Sequence, residues 1–126
     1  MKCFRRFLSA LLSFYFCFQS VPSPAASSHP QAQAAIEALR KQDFKTAIPL
    51  LILLVKENPR DEIPYHLLAV SFRSQKEYMK AVSVIEEAEK NGIKSKVLYQ
   101  DLAEVFFMMG LYQSTIEALG KMEKLA

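Results

Sequence analysis

The sequence predicts an all-α fold in which about six helices form repeated hairpins. Three observations lead to this prediction. Several apolar positions recur at one constant step along the chain, glycine is scarce, and helix-capping and helix-stopping residues separate the apolar stretches. With three glycines and no segment rich in β-branched residues, the composition favours helix over sheet. We expect helices near residues 31–42, 44–57, 62–74, 77–90, 96–109 and 112–124.

The repeat is clearest between the segments that begin near residues 62 and 96. Both segments contain the same order of an aromatic residue, a leucine, an alanine and a phenylalanine. Small side chains are needed where two helices cross closely, and large ones fill the space beside the crossing. The pairs, all separated by the same step, are Tyr65 and Tyr99, Leu68 and Leu102, Ala69 and Ala103, Phe72 and Phe106, and Tyr78 and Tyr112.

Local signals predict where the helices begin and end. Asp61 and Ser95 are good N-cap residues for the third and fifth helices. The spacing Ser74-x-x-Glu77 predicts a capping box at the start of the fourth helix. Asn91-Gly92 and Gly110 are helix-stop signals, and they agree with the boundaries that the repeat implies.

The pattern from Tyr65 to Phe72, followed by Ala81-x3-Ile85, resembles the tetratricopeptide repeat (TPR), and the step between units matches the TPR period. The resemblance covers three units, at residues 28–61, 62–95 and 96–126. It implies a right-handed superhelical α-solenoid, in which stacked hairpins bury a continuous core that one hairpin alone cannot form.

The segment at residues 1–27 has the order of a secretory signal. Basic residues up to Arg6 precede an apolar run at 7–18, which is followed by small residues and prolines. This run is shorter than the roughly 20 residues needed to span a bilayer. We therefore expect residues 1–27 to be signal peptide and linker. Cleavage is expected between Ala25 and Ala26, and the second choice is cleavage after Ser27. Residues 28–126 are then an exported periplasmic or extracellular domain. The alternative is that residues 7–18 remain as a membrane anchor.

Charge and reactive side chains argue against several classes of function. Three of the 16 basic residues precede residue 7, so 13 remain against 13 acidic residues, and the repeat region is close to neutral. It therefore lacks the basic footprint of a nucleic-acid-binding protein. Both cysteines lie in the signal, and His29 and His66 have no partners at metal-ligand spacing. We expect no catalytic residues, metal or cofactor, and hence no enzyme.

The resemblance also implies where a partner binds. In TPR arrays the first helix of each unit lines a concave groove, which here is mainly apolar and suits an extended or helical segment with hydrophobic anchors. One TPR branch clamps the terminal carboxylate of a peptide with Lys and Asn residues. The matching positions in this sequence hold other residues, so this mode of binding is not expected. The expected groove residues are Ile36, Arg40, Ile63, His66, Val70, Arg73, Gln100, Glu104 and Phe107.

The last predicted helix ends directly before Ala126, and no capping helix follows it. We therefore expect exposed apolar side chains at the C-terminal end, covered by a second copy, a partner helix or further sequence. Alternatively, the helix tilts inward and lysine stems shield it. The expected end residues are Val105, Met109, Met122 and Leu125.

These features predict a protein-interaction module that acts as an exported adaptor, chaperone or assembly factor. Its partner is then a peptide or helix of another protein. The alternative is a self-associating structural component of a larger envelope complex. A membrane contact is expected only through an uncleaved N-terminal segment.

Overall fold

The computed structural model describes residues 30–125, and the predicted signal and cleavage positions lie outside this range. The described residues form six α-helices and no strands. The predicted helices are confirmed, with ends that differ only slightly from the expected ones. Their bounds are α1 Pro30–Arg40, α2 Phe44–Glu57, α3 Glu62–Ser74, α4 Tyr78–Lys90, α5 Lys96–Met108 and α6 Tyr112–Lys124.

The two helices of each hairpin are joined by the same kind of turn. A residue with positive φ follows the first helix at Gln42, Lys76 and Gly110, which occupy equivalent places in successive repeats. In the second turn the Glu77 N–H donates to the Phe72 carbonyl and the Lys76 N–H to the Arg73 carbonyl. This pattern is a Schellman motif, which satisfies the last carbonyls of a helix and stops it.

The predicted N-caps of α3 and α5 are confirmed, but the predicted capping box of α4 is wrong. The Asp61 side chain accepts from the Ile63 N–H at 3.1 Å, and Ser95 accepts from the Leu98 N–H at 3.4 Å. Ser74 is instead the last residue of α3, and Glu77, the N-cap of α4, makes no side-chain capping bond. The Schellman turn occupies the intervening residues, so Ser74 is still helical and cannot cap the next helix.

The core lies inside the hairpins and between them. Helix α3 packs on α4, α5 packs on α6, and α3 also packs alongside α5. Ala69 and Ala81 are both buried, as expected for small residues where helices of one hairpin cross. Tyr65 is fully buried, and its hydroxyl donates to the Pro59 carbonyl and accepts from the Asn91 amide, both at 2.9 Å. These bonds satisfy the one polar atom of a large buried side chain.

The prediction that Val105 is exposed at the C-terminal end is wrong, because its side chain is fully buried. Leu98, Leu102 and Val105 follow the i, i+4, i+7 spacing of one helical face, and all three are buried. The repeat-equivalent residue Ser71 is also fully buried, so this position faces the hairpin interior. Met109, Met122 and Leu125 are only partly exposed.

Candidate functional site

The candidate site is the surface formed by α3 and α5, the first helices of the second and third hairpins, and is called here the α3–α5 face. The Ser95 hydroxyl donates to the Glu62 carboxylate at 2.5 Å, which ties the start of α5 to the first turn of α3. Because Ser95 also caps α5, one residue sets both the start of that helix and its position beside α3.

One side-chain pair on this face is partly withdrawn from solvent. His66 Nδ1 on α3 lies 2.6 Å from Asp101 Oδ2 on α5. The Asp101 side chain is only 8% exposed, whereas that of His66 is 36% exposed. Burial raises the pKa of Asp101, and the hydrogen bond with His66 and the charge of Arg73 act in the opposite direction.

A second polar pair lies along the same two helices. The Arg73 guanidinium donates to Glu104, which also accepts from the Gln100 amide at 3.2 Å. These partners neutralise one another, and about half of Glu104 remains exposed. The cluster therefore offers hydrogen-bonding groups to a partner without a strong net charge.

Exposed apolar side chains lie on the same helices as the polar cluster. Ile63 at the start of α3 is 64% exposed, and its repeat equivalent on α5, Val97, is 43% exposed. Phe107 at the end of α5 is 62% exposed, and its ring makes an edge contact with Tyr112, with centroids 5.8 Å apart. Apolar side chains beside satisfied polar groups are the composition of a protein-binding surface.

The structure brings four of the predicted groove residues into one cluster. On the α3–α5 face, Arg73 and Gln100 both bond to Glu104. His66 lies on the same face and bonds to Asp101, whose pKa also responds to the charges of Arg73 and Glu104. The cluster also contains Asp101, which matches one of the carboxylate-clamp positions but was not among the expected groove residues. Arg40, in contrast, pairs within α1 with Glu37. The remaining predicted groove residues are exposed or partly exposed: Ile36, Ile63, Val70 and Phe107.

Sequence reasoning also missed an apolar groove on the opposite side, among α2, α3 and α4. It has a volume of about 360 Å³ and contains Ile52, Val55 and Phe72 in its lining. The equivalent groove between the second and third hairpins has about 200 Å³ and is bordered by the Lys121–Glu89 ion pair at 3.0 Å. Val55 replaces the glutamate in the first groove, so the same bridge cannot form there.

Within residues 30–125, no cluster of three or more His, Cys, Asp or Glu side chains has the arrangement of a metal site. Over the same residues, no helix is both long and apolar enough to cross a bilayer.

Comparison of the folded chain with solved structures gives matches to MamA, a TPR-like all-α solenoid. A MamA point mutant superposes with a TM-score of 0.63 at 18% identity, over 76% of this chain and 56% of that one. The MSR-1 MamA superposes with a TM-score of 0.66 at 17% identity, over 75% and 55%. The chain thus spans little more than half the length of these neighbours. The fold is a TPR-like α-solenoid.

No protein-family model matches the chain. No curated protein matches it in sequence.

Proposed function

We propose that this chain is a non-enzymatic protein-interaction module of the adaptor, chaperone or assembly-factor type, exported by its N-terminal signal. Its α3–α5 face binds an extended or helical segment of another protein. The observation that carries the proposal is the exposure of Ile63 and Val97 beside the paired polar side chains on the same two helices. The TPR-like fold supports the proposal because it presents first helices side by side as a continuous surface.

The chemistry of this face indicates the kind of segment that it binds. Ile63 and Val97 lie at repeat-equivalent places on adjacent helices, so they form two neighbouring apolar contacts. Arg73 is balanced by Glu104, and His66 and Asp101 are joined by a hydrogen bond. A segment with apolar anchors and few charges fits this surface, because the surface offers no excess of opposite charge to attract a highly charged segment.

Site-specific photocrosslinking of the mature protein in its native compartment tests the proposal. A crosslinker at Ile63 should capture a distinct protein, whereas one at Met79 should not. Met79 is the matched control, because it is an equally exposed apolar residue on the second helix of the same hairpin. The double variant Ile63→Asp/Val97→Asp should lose that partner in a pulldown, and Met79→Asp should retain it. Equal capture from both positions, or capture of this chain alone, would contradict the proposal.

A further inference from the structure

The C-terminal surface of the repeat domain exposes side chains that the other hairpins cover. Tyr112, Ile116 and Leu119 lie along one face of α6, at a spacing that places them on adjacent turns. Ile116 is 63% exposed, whereas its repeat equivalent in α4, Val82, is 6% exposed. Likewise Leu119 is exposed and its equivalent Ile85 is fully buried beside α5. This face of α6 thus carries apolar side chains at the positions that are buried between repeats in the second hairpin.

The side-chain pairs at the internal junctions indicate which kind of residue would pack against this surface. At the junction between the second and third hairpins, Arg73 pairs with Glu104. The equivalent places one repeat earlier hold Leu39 and Val70, which are both half-buried and apolar. One repeat later the first member is the exposed Phe107. Within residues 30–125, no further first helix places a counterpart opposite Phe107.

A second copy of this chain supplies an apolar counterpart in that register. If α1 of the second copy continues the repeat, the place equivalent to Glu104 is taken by its Ile36, which is 45% exposed. Phe107 then meets Ile36, and an apolar pair replaces the internal ion pair. Burial of two large exposed apolar side chains favours the contact.

The second pair of the junction agrees with the same register. The His66–Asp101 contact becomes, one repeat later, Gln100 of one copy opposite Gln33 of the second. Both glutamines are exposed, and two amides can donate to and accept from each other. Neither pair brings like charges together.

The two surfaces also differ in side-chain size and polarity from those of the internal junction. At the internal junction, Leu102 and Phe106 of the following hairpin lie beside Ile85. The corresponding places in α1 of a second copy hold the smaller Ala34 and Ala38. The C-terminal surface is more apolar than its equivalent in the second hairpin. Phe107, Met108 and Leu111 stand where that hairpin has Arg73, Ser74 and Glu77.

We propose that mature copies of this chain associate head to tail, with α1 and α2 of one copy seated on the α5 and α6 surface of the next. This inference goes beyond the proposed function, which requires only one copy and depends on Ile63 and Val97. The contact is heterologous, so each added copy leaves one surface of each kind free. Association is therefore open-ended and grows with concentration.

Sedimentation velocity and light scattering of the mature protein over a concentration series test the inference. The mean mass of the wild type should rise with concentration. Phe107→Asp and Ile36→Asp should each raise the concentration for half-association by about tenfold or more, because each buries an unpaired charge in the contact. Both positions are exposed, so thermal melts should remain close to the wild-type melt. If either melt falls, the milder Phe107→Ser and Ile36→Ser variants replace them.

An equimolar mixture of the two Asp variants distinguishes head-to-tail contact from a symmetric dimer. The intact C-terminal surface of Ile36→Asp should receive the intact N-terminal surface of Phe107→Asp. The mixture should therefore form 1:1 dimers that do not grow further, because the remaining junction pairs two aspartates. In addition, the double variant Phe107→Arg/Ile36→Glu should regain concentration-dependent association, because it recreates the Arg73–Glu104 pair between copies. This association should weaken as the salt concentration rises.

Control variants keep this result separate from the proposed function. Ile63→Asp should lose the partner protein and retain mass growth, and Ile116→Asp, which lies on α6 outside the α3–α5 face, should do the reverse. A wild type that stays monomeric at every soluble concentration would overturn the inference and leave the proposed function standing. Growth unaffected by both Asp variants, or a mixture without 1:1 dimers, would overturn it as well.

Discussion

At the scale of single residues, the three equivalent turns differ in how well their residues tolerate positive φ. Lys76 has φ of 62° and Gly110 has φ of 77°, at the same place in successive repeats. A side chain in the left-handed region costs roughly 1 kcal/mol relative to glycine. We therefore expect Lys76→Gly to raise the free energy of unfolding and Gly110→Ala to lower it, each by about 1 kcal/mol.

Urea denaturation measures both effects, and Gly120→Ala is the control. Gly120 lies within α6 without a positive φ, and a β-carbon there meets no atom within 4 Å. This substitution should stabilise the protein by about 0.5–1 kcal/mol, because alanine is the better helix former. The same sign for Gly110→Ala and Gly120→Ala would contradict the backbone argument.

The buried carboxyl of Asp101 predicts a pH dependence. Burial raises the pKa of Asp101 in the folded protein above its ordinary value of 3.8, although His66 and Arg73 oppose the shift. The fold thus favours the protonated form, and this contribution to stability is fully present below pH 3.8 and is lost as pH rises through the folded-state pKa. The Asp101→Asn variant stays neutral at this position. The free energy of unfolding of the wild type should therefore fall relative to that of the variant as pH rises from 3.8 through the folded-state pKa of Asp101. Urea unfolding of both proteins between pH 3.5 and 7 checks this, and an opposite trend would exclude burial as the dominant cause.

At the scale of the helices, the crossing of α3 and α4 depends on small side chains. Ala69 and Ala81 are both buried in the core. Ala69→Leu adds volume to a filled site, and we expect it to lower the free energy of unfolding by about 1–3 kcal/mol. Ala34→Leu on the exposed side of α1 is the matched control and should change it by less than about 0.5 kcal/mol. Equal thermal melts for the two variants would contradict the repeat register.

At the scale of the whole molecule, the domain is expected to act after export. We predict that the mature chain begins at or near Ala26, because small residues occupy the positions before that bond. Intact-mass measurement of the exported protein checks the start. A mature chain that retains residues 7–18 would instead place the repeats beside a membrane. The binding and association experiments above then apply to the anchored form.

The fold was largely predictable because helix formation and repeat packing depend on local sequence patterns. Among the recurring positions, Tyr65, Ala69 and Phe72 are buried, whereas Tyr112 is 63% exposed because no further hairpin covers it within the described residues. The capping box failed because Ser74-x-x-Glu77 also fits a helix end followed by a Schellman turn. Only the backbone shows that Lys76 takes the positive φ that decides between them.

The candidate site was predicted only as a set of residues. The family pattern indicated His66, Arg73, Gln100 and Glu104, but it gave no reason to pair them. The two contacts between α3 and α5 join residues that are distant in sequence, His66 with Asp101 and Arg73 with Glu104. Such pairs depend on the offset between α3 and α5, which no local signal specifies. The contact of Asp101 with His66 likewise depends on that offset.

The sequence alone determined the class of fold, the number of helices and most of their ends, because these follow from apolar periodicity, small residues at crossings and capping chemistry. The tertiary structure decided which faces remain in solvent. Val105 and Ile116 are both apolar and lie on neighbouring helices, yet one is fully buried and the other is 63% exposed. Periodicity places an apolar residue on a face of a helix, but the neighbouring helices determine whether that face is covered.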